Sequence, residues 1–339
     1  MSDPLVEGSD TPLAERHDVA LLDLDGVLYV GPDAVPGAPE AVRAAAEAGM
    51  RPAYVTNNAA RTPATVAAHL RELGVPAGPE DVVTSAQAAA TLLAGRVPAG
   101  SRVLVVGGEG LVVAVRERGL VPVHEAGDGV AAVVQGFSPD VGWRLLAEGT
   151  YAVSAGLPWV ATNMDATVPT QGGNAPGNGL LVGVVARAAG REPDAVAGKP
   201  ETPLHEESVR RTGARTPLVV GDRLDTDIDG ANRVGVPSLL VLTGVCRPAD
   251  LLRAQPALRP TYLARDLRDG LLAAHPAVSP DGGGWQCRDW TVSVRGAEVS
   301  VEGTGDPVDG LRALCVAWWQ AAAALDGQDP AKALAATGW

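Results

Sequence analysis

The chain has 339 residues, 46% of them hydrophobic and 20% charged. At roughly 100–200 residues per domain that is two or three folded domains, and the composition excludes wholesale disorder. No stretch approaches the roughly 18 uninterrupted apolar residues of a membrane span. The formal charge of −13, from 40 acids against 27 bases, is the wrong sign for a nucleic-acid partner. It leaves room for a small phosphorylated substrate, because a bound metal can make one site locally cationic.

In chain order, residues 1–16 lack the basic start and apolar stretch of a signal peptide and read as a short disordered lead. Val19–Leu22, Pro217–Val220 and Ser238–Leu242 are apolar runs without polar alternation, the pattern of strands buried in a parallel sheet. Helical patterns at Pro39–Ala48, Pro63–Leu73, Pro203–Thr212 and Asp227–Val234 fit between them. This rhythm implies a doubly wound, Rossmann-like α/β core over 17–86 and 193–275. Between the two halves, residues 87–192 carry their own strand, turn and helix at Val103–Gly110 and a further strand at Ala131–Gln135. They are read as an inserted α/β domain, the alternative being one large continuous sheet.

Residues 276–339 form a third segment, holding five of the seven tryptophans. Trp290–Val294 and Glu298–Glu302 alternate around Gly296, which predicts a hairpin. Asp306 and Pro307 then open a helix carrying Leu311, Leu314, Cys315 and Trp318 on one stripe. A hairpin and a helix make a marginal core alone, so this small α+β extension is expected to dock on something larger. The three cysteines are far apart and form no CxxC, consistent with a reducing cytoplasm. The five histidines show no HExxH, so no zinc site is expected.

In a doubly wound fold, ligands bind beyond the C-terminal ends of the strands. Four clusters stand there. Asp23 and Asp25 are two carboxylates at i and i+2, pointing to the same side of an extended chain. Like charges so placed suit a cation or proton transfer, although a pair of solvated strand-end acids reads the same. Thr56, Asn57 and Asn58 follow the Pro52–Val55 run; a hydroxyl, an amide and backbone N–H groups suit phosphate oxygens, and equally an ordinary turn. Lys199, in Gly198-Lys199-Pro200, is one of only two lysines against 25 arginines. A compact ammonium fits between carboxylates and a phosphoryl group where a planar guanidinium does not, although an exposed loop lysine would look alike. Asp222, Asp225 and Asp227 follow the Pro217–Val220 run, with Asp227 also a candidate helix cap. Acids at two strand tips, a hydroxyl and a lysine together are what Mg²⁺-assisted phosphoryl transfer uses.

This order of motifs, DxDGV, TNN, GKP and GDxxxTD, resembles the haloacid dehalogenase superfamily. It is similar to the branch of phosphatases related to nitrophenyl-phosphatases, whose α/β cap is inserted between the second and third motifs. Gly108–Leu111, Thr162–Asp165 and Pro176–Gly179 are similar to recurring sequences of that cap. The resemblance implies that Asp23 is the nucleophile and forms an aspartyl-phosphate, and that Asp25 is the general acid and then base. It implies Thr56, Asn57 and Lys199 on the phosphoryl group. Mg²⁺ would be held by Asp23, the Asp25 carbonyl and Asp222, with Asp227 and Asn58 standing behind them. Asn163 and Asp165, in a Gly/Pro-rich loop of the cap, are expected to reach the alcohol portion of the substrate; a turn held by its own Asn and Asp is the alternative.

The extension is similar to the acetyltransferase-like tail of actinobacterial glycerol 3-phosphate phosphatases. No Arg/Gln-x-x-Gly-x-Gly/Ala loop for acetyl-CoA occurs within it, so a structural or assembly role is expected. The reading is a cytoplasmic Mg²⁺-dependent phosphatase of a small phosphorylated metabolite, glycerol 3-phosphate first. Phosphoglycolate, a sugar phosphate and pyridoxal phosphate are the alternatives, with a non-catalytic scaffold behind them and self-assembly into a homo-oligomer left open.

Overall fold

The computed structural model describes residues 4–170 and 172–339. The chain packs as two compact units: one runs to Pro52 and resumes over Ala214–Trp339, and the other is Ala53–Gly213. In the first unit, Val19–Leu22 pairs in parallel with Pro217–Gly221, which pairs with Ser238–Val241, and that strand with Tyr262–Ala264. Every residue of Val19–Leu22 and Ser238–Val241 is buried, which explains their unbroken apolar character. The helix Ala38–Glu47 starts after Gly37, whose φ of +79° is left-handed, and packs Ala41, Val42 and Ala45 inward. Beyond Gly221 the chain makes one wide turn, the π-helix Leu224–Ile228, before the α-helix Asp229–Val234.

The lead expected to be disordered is instead docked from Leu5 onward. Leu5 and Leu13 are buried, and Ser9 and His275 exchange backbone hydrogen bonds of 2.6 and 2.8 Å. Two apolar anchors and a strand-like bridge outweigh the polar, Pro-containing composition that suggested disorder.

The C-terminal segment builds a four-stranded antiparallel sheet from Ser279–Asp281, Gly284–Cys287, Trp290–Arg295 and Glu298–Gly303. The expected hairpin pairs Val292 with Val301 and turns at Gly296, φ +64°. The helix Pro307–Gln320 follows, capped by the Asp306 carboxylate, which accepts from the Val308 N–H at 2.9 Å. It is buried on all sides from Val308 to Trp319, because it lies between its own sheet and the Pro248–Leu252 and Tyr262–Ala264 elements. Within it, Asp309 and Arg312 form a buried ion pair, and Arg312 also donates to the Leu263 carbonyl. Trp319 Nε1 donates to the Leu251 carbonyl at 3.0 Å, and Arg259 lies over the Trp319 ring at 4.9 Å. One apolar cluster joins Ile228, Leu240, Cys246 and Leu251 to Leu311, Leu314, Cys315 and Trp318. The tail is thus built into the first unit rather than appended to it.

In the second unit, the end of the Arg51–Thr56 strand pairs in parallel with Val82–Thr84. A separate five-stranded parallel sheet runs in the order Ala195–Val196, Trp159–Ala161, Val130–Gln135, Arg102–Val106, Val121–Val123. The insertion expected at 87–192 lies inside this unit, which also takes in 53–86 and 193–213. One reason is Glu207, buried on the helix Thr202–Thr212, which pairs with Arg118 at 2.6 Å and Arg210 at 2.7 Å and accepts from Thr91 Oγ1 at 3.2 Å. Another is Gly110, in the first turn of the helix Glu109–Glu117. Its N–H donates to the Ala60 carbonyl at 3.1 Å, and a β-carbon there would press on the Ala59 and Arg61 carbonyls.

Two buried histidines make stability pH-dependent. Burial, then the Lys199 charge, pushes His205 down to about 3 from 6.5, and burial above all pushes His275 down to about 4. Both are therefore neutral when folded but take up protons on unfolding once the pH drops below 6.5. Their contribution is complete above that value and declines on acidification toward the folded values. At pH 5.5 the loss is expected to be about 1.4 kcal/mol for each. Urea unfolding at pH 7.5 and 5.5 measures it, and equal stabilities at the two pH values would contradict it.

Candidate active site

Asp23 directly follows the Val19–Leu22 strand and is half-buried; its N–H donates to the Val220 carbonyl at 2.9 Å. The chain then turns through Asp25, which is exposed, and Gly26, whose φ is +81°. Asp222 ends the adjacent Pro217–Gly221 strand, and Asp227 sits on the wide turn after it; both are buried. Carboxylate oxygens of Asp23, Asp222 and Asp227 lie within 4.8 Å of one another. Asp227, expected behind the ligands, thus comes within the same reach as the other two.

Backbone holds these acids. The Val245 N–H donates to Asp222 Oδ2 at 2.6 Å, and the Arg223 N–H to Asp227 Oδ2 at 3.1 Å. The Thr243 hydroxyl donates to the Gly26 carbonyl. Glycine is required at Gly26 and Gly244, where a β-carbon would run into the Asp222 carboxylate, and at Gly221, where it would meet Asp227. The sequence reading missed Thr243, Gly244 and Val245. Their signal was available, because they follow the Ser238–Leu242 run as the other clusters follow theirs. Three carboxylates this close, two of them buried, repel one another unless a cation or proton lies among them. A small, hard divalent ion with oxygen ligands fits that donor set.

The second unit gathers the other motif residues. Thr56 ends its strand, and its hydroxyl accepts from the Asn58 N–H at 3.1 Å; Asn58 Oδ1 in turn accepts from the Ala60 N–H at 2.9 Å. Asn57 is the hub. Its Oδ1 accepts from the Lys199 N–H at 2.8 Å, and its Nδ2 donates to the Lys199 carbonyl at 3.1 Å and to the Asp165 carboxylate at 3.2 Å. Its own carbonyl accepts from Asn163 Nδ2 at 2.8 Å and from Ser85 Oγ at 2.6 Å. Lys199 is 4% exposed and precedes a cis proline. A β-carbon at Gly198 would press on Asn57 Oδ1 and the Thr162 carbonyl, so glycine lets the two segments meet. Asn163 Oδ1 accepts from the Asp165 N–H at 3.1 Å, and the Asn163 carbonyl accepts from Asn178 Nδ2 at 2.7 Å. The 163–165 loop therefore forms its own Asn-stabilised turn and also lies against Asn57. The structure thus brings together Asp23, Asp222 and Asp227 in one unit, and Asn57, Asn163, Asp165 and Lys199 in the other.

Profiles of known families match these segments. A haloacid dehalogenase-like hydrolase profile matches residues 20–121, and a second hydrolase profile of that kind matches 196–270. A GCN5-related N-acetyltransferase like domain matches 287–339. The chain belongs to the haloacid dehalogenase-like hydrolases, as a phosphatase of the nitrophenyl-phosphatase-like branch with an acetyltransferase-like C-terminal extension.

Among individual relatives, the D-glycerol 3-phosphate phosphatase of Mycobacterium tuberculosis is 47% identical over 331 residues, covering 94% of this chain and 90% of that one. An acid sugar phosphatase of Staphylococcus aureus is 36% identical, covering 76% of this chain and 98% of its own. The crystal structure of the M. tuberculosis glycerol phosphate phosphatase in complex with magnesium superposes with a TM-score of 0.86 at 44% identity, over 97% of this chain and 98% of that one. A p-nitrophenyl phosphatase from Archaeoglobus fulgidus gives 0.69 at 30% identity, over 75% and 97%. The match with the mycobacterial protein runs into the tail.

Proposed function

We propose that the protein hydrolyses glycerol 3-phosphate, using Mg²⁺ and a covalent aspartyl-phosphate. The observation that carries the reading is the convergence of Asp23, Asp222 and Asp227 at the ends of two adjacent strands. The identity to a glycerol 3-phosphate phosphatase over nearly the whole chain supports the substrate. Asp23, Asp222, Asp227 and the Asp25 carbonyl would hold the metal, which supplies positive charge that offsets repulsion between carboxylate and phosphate.

The chain's own groups do the rest. The Asp23 carboxylate attacks phosphorus, and the bond to the glycerol oxygen breaks as the bond to Asp23 forms. Asp25, which is exposed, gives its proton to the departing alkoxide and then takes one from the water that cleaves the aspartyl-phosphate. Thr56 and the Asn57 backbone hold phosphoryl oxygens. Lys199, whose main chain is fixed on both sides by the Asn57 amide, supplies a second positive charge.

The test is phosphate release from a panel of monoesters, with Mg²⁺ and with the metal chelated. Glycerol 3-phosphate is expected to give the highest kcat/KM, and chelation to abolish turnover. A sugar phosphate in first place would favour the chemistry of the staphylococcal relative instead. The Asp25→Asn enzyme should lose about 10²–10⁴-fold on glycerol 3-phosphate and far less on nitrophenyl phosphate, whose leaving group needs no proton. Equal losses on both esters would remove Asp25 from the acid–base role.

Asp165 distinguishes substrate recognition from bracing. If the 163–165 loop meets the alcohol portion, Asp165→Ala changes the ranking of substrates by kcat/KM more than it changes nitrophenyl phosphate hydrolysis. A uniform fall on every substrate would assign Asp165 only to holding the Asn57 amide.

A further inference from the structure

The tail does more for this enzyme than cover apolar surface. Asp222 is fixed by a short segment, Thr243–Cys246, in which the Val245 N–H holds Oδ2 and the Cys246 N–H donates to the Asp222 carbonyl at 3.1 Å. The same segment, through Thr243, ties down the Gly26 carbonyl beside Asp25. It therefore grips both strand ends that carry the proposed metal ligands. Its far side does not rest on the parallel sheet alone. Cys246 is buried in the apolar cluster completed by Leu311, Leu314, Cys315 and Trp318 of the C-terminal helix. Cys315 shares that cluster, where burial pushes its thiol up and Cys246 adds to the shift. The next element, Pro248–Leu252, is pinned by the Trp319 Nε1 bond to Leu251. The turn bearing Asp227 rests on the same cluster through Ile228, with Leu224 packed against it.

We infer that the acetyltransferase-like tail is a positioning element of the metal site: its helix Pro307–Gln320 backs the Thr243–Cys246 segment and the Leu224–Ile228 turn, and so sets the placement of Asp222 and Asp227. Cys315 and Trp319 are the positioning residues. The inference rests on the proposed reading of Asp23, Asp222 and Asp227 as metal ligands. Groups that orient ligating carboxylates from behind are typically worth about 10–100-fold in metal affinity. Here they arrive from a helix that lies 80 to 98 residues further along the chain.

The experiment is calorimetric titration of the full-length protein with Mg²⁺, alongside the Mg²⁺ dependence of turnover. Wild type and Asp222→Asn come first. If the wild type binds no Mg²⁺, or Asp222→Asn binds it equally well, the reading of the acid cluster is wrong and the inference falls with it. Given that site, Cys315→Leu, which enlarges the side chain behind Cys246, should weaken Mg²⁺ binding about tenfold. The Mg²⁺ concentration for half-maximal rate should rise in step, while KM for substrate at saturating Mg²⁺ stays unchanged. Trp319→Phe, which removes one hydrogen bond and little volume, should shift binding in the same direction and decides the matter if Cys315→Leu does not fold. Val133→Ala, in the separate buried cluster of the second unit, is the control for lost stability alone. Wild-type Mg²⁺ affinity in Trp319→Phe and Cys315→Leu, or an equal loss in Val133→Ala, overturns the inference.

Discussion

Asp23→Asn is expected to lower kcat by about 10³-fold or more while leaving the fold intact. An amide cannot displace an alkoxide from phosphorus, and the other two carboxylates of the cluster, Asp222 and Asp227, are buried and each accepts a backbone N–H. Stability should hold or rise, because the substitution removes one of three mutually repelling charges in the metal-free protein. Phosphate release with Mg²⁺ saturating, paired with a thermal melt, separates the two effects. Retention of more than a few per cent of wild-type turnover would exclude the covalent route through Asp23. Loss of both activity and the cooperative melt would mean that Asp23 is needed for folding instead.

Arg312→Leu is expected to cost about 3–5 kcal/mol of stability, the usual effect of removing one partner of a buried ion pair. Asp309 would stay in the core with Arg288, at 3.6 Å and largely exposed, as its remaining cation. The Leu263 carbonyl would lose its guanidinium donor. The double substitution Asp309→Leu with Arg312→Leu should recover much of the loss, because nothing charged is then stranded. Urea unfolding of the single and double variants measures this, and a double variant as unstable as the single would mean that packing rather than charge is at stake.

The strand-end rule made much of the site legible. Asp23, Thr56 and Asp222 each follow an apolar run that proved to be a buried strand, and the rarity of lysine singled out Lys199. What stayed hidden was work done by backbone and by side chains far apart in sequence. The Val245 N–H that holds Asp222 belongs to a residue whose identity says nothing about it. The Asn57 amide, read as one of a phosphate-binding trio, spends both ends on Lys199, 142 residues away. Glu207 is buried and paired with Arg118, 89 residues away, a contact that no local spacing announces. Asp309 and Arg312, three residues apart, are likewise buried as a pair. In the tail, the alternating hairpin was visible, but Ser279–Asp281 is exposed throughout and left no apolar pattern to find.

The single apolar cluster shared by Cys246, Leu251 and the Leu311–Trp319 stretch also bears on how the protein is made. Cys246 precedes Trp318 by 72 residues. At about 5–20 residues per second, roughly 4–14 seconds of synthesis separate them. During that interval the nascent chain carries Cys246, Leu251 and Leu252 without the helix that covers them. Until the helix Pro307–Gln320 arrives, that apolar surface is open to aggregation, and a chain cut before Pro307 is expected to be sticky rather than a smaller enzyme.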